Sequence, residues 1–332
     1  MATFLVTGGA GFIGSHLAEA LVAERHRVIV LDNLSAGNAN NLSSIASHPY
    51  VEVVRANCTD DNVLEECVRR ADVVYHLAAT VGVFRVIANP RTTLLDNIWS
   101  TESVLRHTAL LKKKVILASS SEIYGKTCTV CREDSDLTFG PSVHIRWSYA
   151  ASKLVNEHLA ISMWRDTGTP VVIVRPFNVI GPRQSGESGM VVPRMLAQSL
   201  RSEPITVFGD GTQTRCFVDV ADVVKWLCLL AQTEGAVGEL INLGNPCEIC
   251  ILDLAEQVRQ LTGNPAGIRL VPYSVAYGTG YEDMPRRLPD IRKVVSLTGY
   301  RPRFSLDTTL RRTWQWHLDR HRKRNFDVVG VV

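Results

Sequence analysis

The chain has 332 residues, 45% of them hydrophobic and 21% charged, with a formal net charge of +3. That length suits a doubly wound domain carrying a smaller lobe, and the apolar fraction is enough for a full core. The charge is too small to imply nucleic-acid binding. No apolar run reaches spanning length, and the N-terminus enters a strand without a charged leader, so a cytoplasmic protein with no membrane partner is expected.

Apolar, β-branched runs at 3–7, 27–31, 51–55, 73–77, 114–119 and 171–175 alternate with helical patterns such as Ser15 to Ala23 and Thr101 to Leu111. This rhythm predicts an α/β fold, a doubly wound parallel sheet covered by helices on both faces. After Asn178 the rhythm changes, with Gly, Pro and Arg dense between Gly181 and Pro193. The expected division is a first domain over 1–178 with a returning segment near 216–243, and a C-terminal lobe from 179–215 and 244–320. The basic stretch from Arg320 to Arg324 reads as a solvated helix end that complements the helix dipole.

The first strand runs into Thr7-Gly8-Gly9-Ala10-Gly11-Phe12-Ile13-Gly14. A strand that turns sharply into a helix needs a residue tolerant of positive φ. The free N–H groups of that helix start attract a pyrophosphate; Gly11 leaves room for its approach, and Gly14 lets helix and sheet pack closely. The second strand ends at Asp32, 18 residues past Gly14. A carboxylate there accepts from ribose hydroxyls and repels a 2′-phosphate, which selects NAD over NADP. Downstream, Tyr149 and Lys153 stand four apart and share one helical face. A phenol with a pKa near ~10 is a poor base alone. An adjacent ammonium and the charged nicotinamide are expected to lower it.

Two C-x-x-C pairs, Cys128/Cys131 and Cys247/Cys250, have a spacing that suits zinc, but each lies in a loop and Cys250 sits where a helix cap is expected. Reduced thiols and no metal are the expectation.

With these motifs go His76-Leu77-Ala78-Ala79, Ser119 to Gly125, Arg175-Pro176-Phe177-Asn178 and Gly209 to Arg215. Together they resemble the extended short-chain dehydrogenase/reductases, in the nucleotide-sugar epimerase, dehydratase and decarboxylase group, from Thr3 to about Trp316. The resemblance implies a Rossmann domain with a C-terminal substrate-binding lobe, and NAD that stays bound while C4 of a nucleotide sugar, UDP-linked by resemblance, is transiently oxidised. It implies cofactor contacts at Gly8, Gly11, Phe12, Ile13, Gly14, Asp32, Asn33, Leu77, Ala78, Ala79, Asn97, Tyr149, Lys153 and Pro176, with Asn57 and Cys58 flanking the adenine. Catalysis is expected from Ser120, Glu122, Tyr149 and Lys153, with Ser120 holding the reacting hydroxyl. Substrate contacts are expected at Arg85 for the sugar, Arg215 and Asn178 for the diphosphate, Val192, and Arg287 for phosphate or carboxylate. Ser120-Ser121-Glu122 is similar to the Thr-Ser-Glu of UDP-glucuronate decarboxylases, whereas 4,6-dehydratases carry Asp where Ser121 stands. Arg146-Trp147-Ser148-Tyr149 and the run from Tyr277 to Asp283 resemble UDP-apiose/xylose synthases. Decarboxylation of UDP-glucuronate leads, 4-epimerisation is the alternative, and dehydration follows. Relatives imply a homodimer formed through 95–111 and 149–166.

Overall fold

The computed structural model describes residues 1–126, 130–186, 189–278 and 283–329, with side chains to 322. Seven strands, β1 (Thr3–Thr7), β2 (Arg27–Leu31), β3 (Val51–Val54), β4 (Val73–His76), β5 (Lys114–Ala118), β6 (Val171–Pro176) and β7 (Leu240–Leu243), form one parallel sheet in the order β7-β6-β5-β4-β1-β2-β3. The Val/Ile/Leu-rich runs of the inner strands are buried because helices cover both faces, whereas the edge strand β3 leaves Glu52 and Val53 exposed. On one face Val6, Val30, Tyr75 and Ile116 pack under Leu17, Leu21, Val223 and Trp226. On the other, Leu5, Val74, Val115 and Ile173 meet Leu64, Val68, Val104 and Ala160. The strand order reverses between β1 and β4, which opens a crevice at their carboxyl ends.

The lobe has its own core, with Met195 and Leu196 of the helix Val191–Leu200, Val207 of the strand Ile205–Phe208, and Leu254 and Val258 of the helix Ile251–Thr262. Its strand Thr214–Cys216 pairs antiparallel with Glu248–Cys250. The expected division needs one correction. Ile291 and Val294, from the helix Arg292–Thr298 and its N-cap, pack into the sheet-side core, so part of 244–320 belongs to the first domain. A two-residue strand, Leu288–Pro289, pairs with Val130–Cys131 and ties the segment carrying Arg287 to the loop after β5. Among the described residues, no helix is long and apolar enough to cross a membrane.

Candidate active site

At the end of β1, Gly8 has φ +69°, and a Cβ there would lie 2.7 Å from the Ala78 nitrogen. A Cβ on Gly14 would lie 2.3 Å from the Gly8 oxygen, so the first helix, Phe12–Ala23, can press on the turn only with glycine there. Gly11 is the N-cap, and no side chain caps the helix, so its first N–H groups, from Phe12 onward, are left to a ligand. Asp32, 8% exposed, accepts from the Ala10 N–H at 2.9 Å and the Leu34 N–H at 2.8 Å. Each oxygen keeps a second lone pair for a ribose hydroxyl. These residues fit an NAD pyrophosphate and adenosine.

Asn33 and Asn57 are both exposed, with side chains 3.5 Å apart across the ends of β2 and β3. Cys58 is buried beneath them, and burial with the nearby Asp32 charge pushes its thiol up to about 12. Leu77, Ala78 and Ala79 continue from β4, the Ala78 N–H donating to Thr7 Oγ1 at 3.3 Å. Asn97 is held by the protein itself. Only 1% exposed, its amide accepts from Thr80 N–H at 2.7 Å and donates to Thr80 O and Ser152 Oγ. It braces the loop after β4 from the helix Pro90–Leu110. Pro176 closes β6, half-buried.

The catalytic group is assembled by the helix Trp147–Thr167, which ends at Gly168 in the left-handed conformation. Its buried face turns Lys153 and Glu157 toward the sheet, where Glu157 pairs with Arg175 of β6 at 2.7 Å, and Asn156 toward the helix Pro90–Leu110, where it donates to Asn97 O at 3.1 Å. Lys153 Nζ thereby donates to Ala118 O, the last residue of β5, at 2.8 Å. Two residues on, Ser120 caps the 3₁₀ turn Ser121–Tyr124 and its hydroxyl hydrogen-bonds Tyr149. Burial lowers the Lys153 ammonium to about 8, against the pull of Glu157 one turn on. Tyr149 departs from expectation. Burial and then the Glu122 charge raise its pKa well above the ordinary value, while only the Ser120 bond lowers it. Lys153 is turned to Ala118, so the protein alone holds this phenol neutral.

Glu122 faces a cluster of arginines. Its carboxylate accepts from Arg287 at 2.7 Å and from Arg146 at 3.3 Å. Arg146 and Arg215 in turn meet Asp283 at 3.3 and 2.8 Å. Burial raises the Glu122 pKa, but Arg287, Arg146 and Arg215 together overcome it and hold the group at about 2. Glu122 is therefore an anion at neutral pH and has no proton to donate. Three cations face two anions, and the excess positive charge suits an anionic ligand.

Three expected substrate residues do not join this cluster. Arg85, in the short helix Val83–Ala88, is exposed and donates to Ser35 O at 3.1 Å, in the loop beyond Asp32, on the cofactor side. Asn178, at φ +34°, donates to Cys216 O at 2.8 Å and so ties the end of β6 to the strand bearing Arg215. Val192 has no exposed surface and sits in the lobe core behind the site. Sequence reasoning gave no role to Arg146 or Asp283. Arg146, one turn before Tyr149, carried a spacing signal; Asp283 carried none, because its partners are remote in sequence.

Cys131 is buried, Cys247 is exposed, and Cys250 caps the helix Ile251–Thr262, accepting from Asp253 N–H at 3.4 Å. Cys128 lies outside the described residues. Among these, no group of three or more His, Cys, Asp or Glu side chains is placed to hold a metal.

Residues 4–244 match the NAD dependent epimerase/dehydratase family, and the chain belongs to it. It is 38% identical over 313 residues, 94% of its own length and 96% of the other's, to a UDP-N-acetyl-alpha-D-glucosaminuronate decarboxylase of Bacillus cytotoxicus. It is 35% identical to UDP-glucuronic acid decarboxylase 6 of Arabidopsis thaliana, over 91% of this chain and 84% of that one. Among solved structures, the UDP-glucuronic acid 4-epimerase of Bacillus cereus superposes with a TM-score of 0.86 at 30% identity, covering 96% and 99% of the two chains. Within its family the protein is an NAD-dependent nucleotide-sugar enzyme.

Proposed function

We propose that the protein decarboxylates a UDP-linked uronate, glucuronate or its 2-acetamido form. The observation that carries this reading is Glu122 held between Arg287 and Arg146 beside the Ser120–Tyr149 pair. Relatives named as decarboxylases of both uronates support it.

NAD, when bound, supplies the hydride acceptor and later returns the hydride, and its nicotinamide charge favours the Tyr149 phenolate. Gly8, Gly11 and Gly14 would cradle its pyrophosphate, with Phe12 and Ile13 opening the helix behind it. Asp32 would hold its adenosine ribose, Asn33, Asn57 and Cys58 would line the adenine, and Lys153 would meet the nicotinamide ribose. Ser120 orients the C4 hydroxyl and Tyr149 takes its proton as hydride leaves the same carbon. The 4-ketone turns the C5 carboxylate into a β-keto acid, which loses carbon dioxide to leave an enolate. Ser120 and the protonated Tyr149 hydrogen-bond the enolate oxygen. C5 then takes up a proton from solvent, and as hydride returns to C4 Tyr149 gives its proton back to O4, which completes a pentose. Glu122, an anion, acts by holding Arg287 and Arg146 toward the substrate's anionic groups; Arg215 meets the diphosphate.

A second reading, 4-epimerisation, is favoured by the Ser120, Tyr149 and Lys153 arrangement, which serves C4 chemistry without Glu122. Incubating the protein and NAD with UDP-glucuronate or UDP-N-acetylglucosaminuronate separates the two. Loss of carbon dioxide supports decarboxylation, and unchanged mass with inverted C4 identifies an epimerase. No reaction with either substrate rejects both uronate readings.

We also infer a homodimer. The helices Pro90–Leu110 and Trp147–Thr167 pack side by side and leave Trp99 55% and Val155 40% exposed. Apolar side chains on two adjacent helices suit the same face of a second copy.

A further inference from the structure

We propose that Asp283 is a positioning residue, a displaceable counter-ion that holds Arg215 and Arg146 until the diphosphate of the substrate takes its place. The inference rests on Arg215 being the diphosphate ligand, as in the function proposed above.

Arg215 is 7% exposed, and in the free protein its two terminal nitrogens are engaged, one with Thr214 O at 2.7 Å and one with Asp283 Oδ1 at 2.8 Å. A diphosphate that takes the Nη2 edge of this guanidinium displaces the Asp283 carboxylate from it, while the Thr214 carbonyl, in Arg215's own strand, stays in place. The same Oδ1 meets Arg146 at 3.3 Å, and Arg146 extends to Glu122. Asp283 thus links the diphosphate ligand to the Glu122 carboxylate through one chain of alternating charges. Two observations make the exchange feasible. The other carboxylate oxygen, Oδ2, accepts from the Tyr273 hydroxyl at 3.1 Å, so Asp283 keeps a partner when it leaves the arginines. A cavity of about 200 Å³ lies beside it, lined by Asp210, Thr212, Gln213, Tyr273, Met284 and Pro285, and gives the side chain room to turn. An arginine left bare in so buried a place is costly, and a mobile carboxylate avoids that cost before substrate arrives.

The test is calorimetric titration of UDP into the full-length protein and into the Asp283→Asn and Asp283→Glu variants, with kcat and KM measured on UDP-glucuronate. Removing the competing anion is expected to tighten UDP binding about tenfold in Asp283→Asn and to steepen its salt dependence. KM for UDP-glucuronate is expected to fall in the same variant along with the UDP dissociation constant, and Asp283→Glu is expected to restore the unaltered affinity. Weaker or unchanged UDP binding by a folded Asp283→Asn variant would overturn the proposal, since a merely structural carboxylate gives that result. Absence of UDP binding by the unaltered protein would overturn it as well. Turnover failure on uronates with the expected UDP affinities would reject the proposed reaction and leave this inference standing.

Discussion

Replacing Glu122 by Gln keeps the shape of the side chain and removes the charge that Arg287 and Arg146 face. The folded carboxyl is held at about 2 against an ordinary 4.5, a gap of about 2.5 units. At about 1.36 kcal/mol per unit this is ~3.4 kcal/mol. The side chain keeps 32% of its surface exposed, so solvent screening reduces the figure to ~1–2 kcal/mol. Because the folded pKa is depressed, this stability is complete above about 4.5 and disappears as pH falls through about 2. Urea unfolding at pH 7 is expected to show Glu122→Gln less stable by that amount, with the difference shrinking as pH drops below 4. Decarboxylation of UDP-glucuronate is expected to slow by about 10–100-fold as Arg287 loses its orienting partner. Equal stability of the two proteins at pH 7 would refute the reasoning, for it would mean that water, and not Glu122, satisfies the arginines.

Gly14→Ala is expected to weaken NAD binding by more than about tenfold and to lower the melting temperature, because its Cβ would meet the Gly8 oxygen at 2.3 Å, a backbone atom that cannot step aside; fluorescence titration and thermal denaturation check both. Burial sets Lys153 at about 8, so its ammonium penalises the fold fully below that pH and the penalty vanishes as pH rises through the unfolded value. In pH–rate profiles, kcat/KM is expected to fall above about 8 as the ammonium is lost, and Lys153→Met is expected to remove that limb. Trp99→Glu is expected to convert the proposed dimer to monomer in sedimentation velocity, with the melting curve of the monomer retained.

The parallel sheet was legible in the sequence because each of its first six strands is a short β-branched run, and the inner strands, buried on both faces, demand continuous hydrophobicity. The cofactor end was legible for a related reason. Gly8, Gly11, Gly14 and Asp32 act within two adjacent strands and one helix, so spacing alone carries their geometry. Tyr149 and Lys153 share a helix, and their pairing follows from its period. The segment around Ile291 and Val294 was misplaced because its apolar spacing does not say which of two cores it joins.

What only the tertiary structure decided is the charge arrangement. Glu122, Arg146, Arg215 and the segment carrying Asp283 and Arg287 come from four separate places in the chain, and no local pattern foretells that they meet. Their meeting sets Glu122 as a permanent anion, and burial, not Lys153, governs the phenol of Tyr149 in the free protein. Asn97 and Asn178 brace neighbouring segments, Val192 packs in the lobe core and Arg85 turns toward the cofactor side, and none of these partners is written in the local sequence. Sequence by itself determines which backbone can form, because backbone conformation is local. The protonation and partners of the side chains in the site depend on solvent exclusion and on neighbours brought from a distance, and these exist only once the chain has folded.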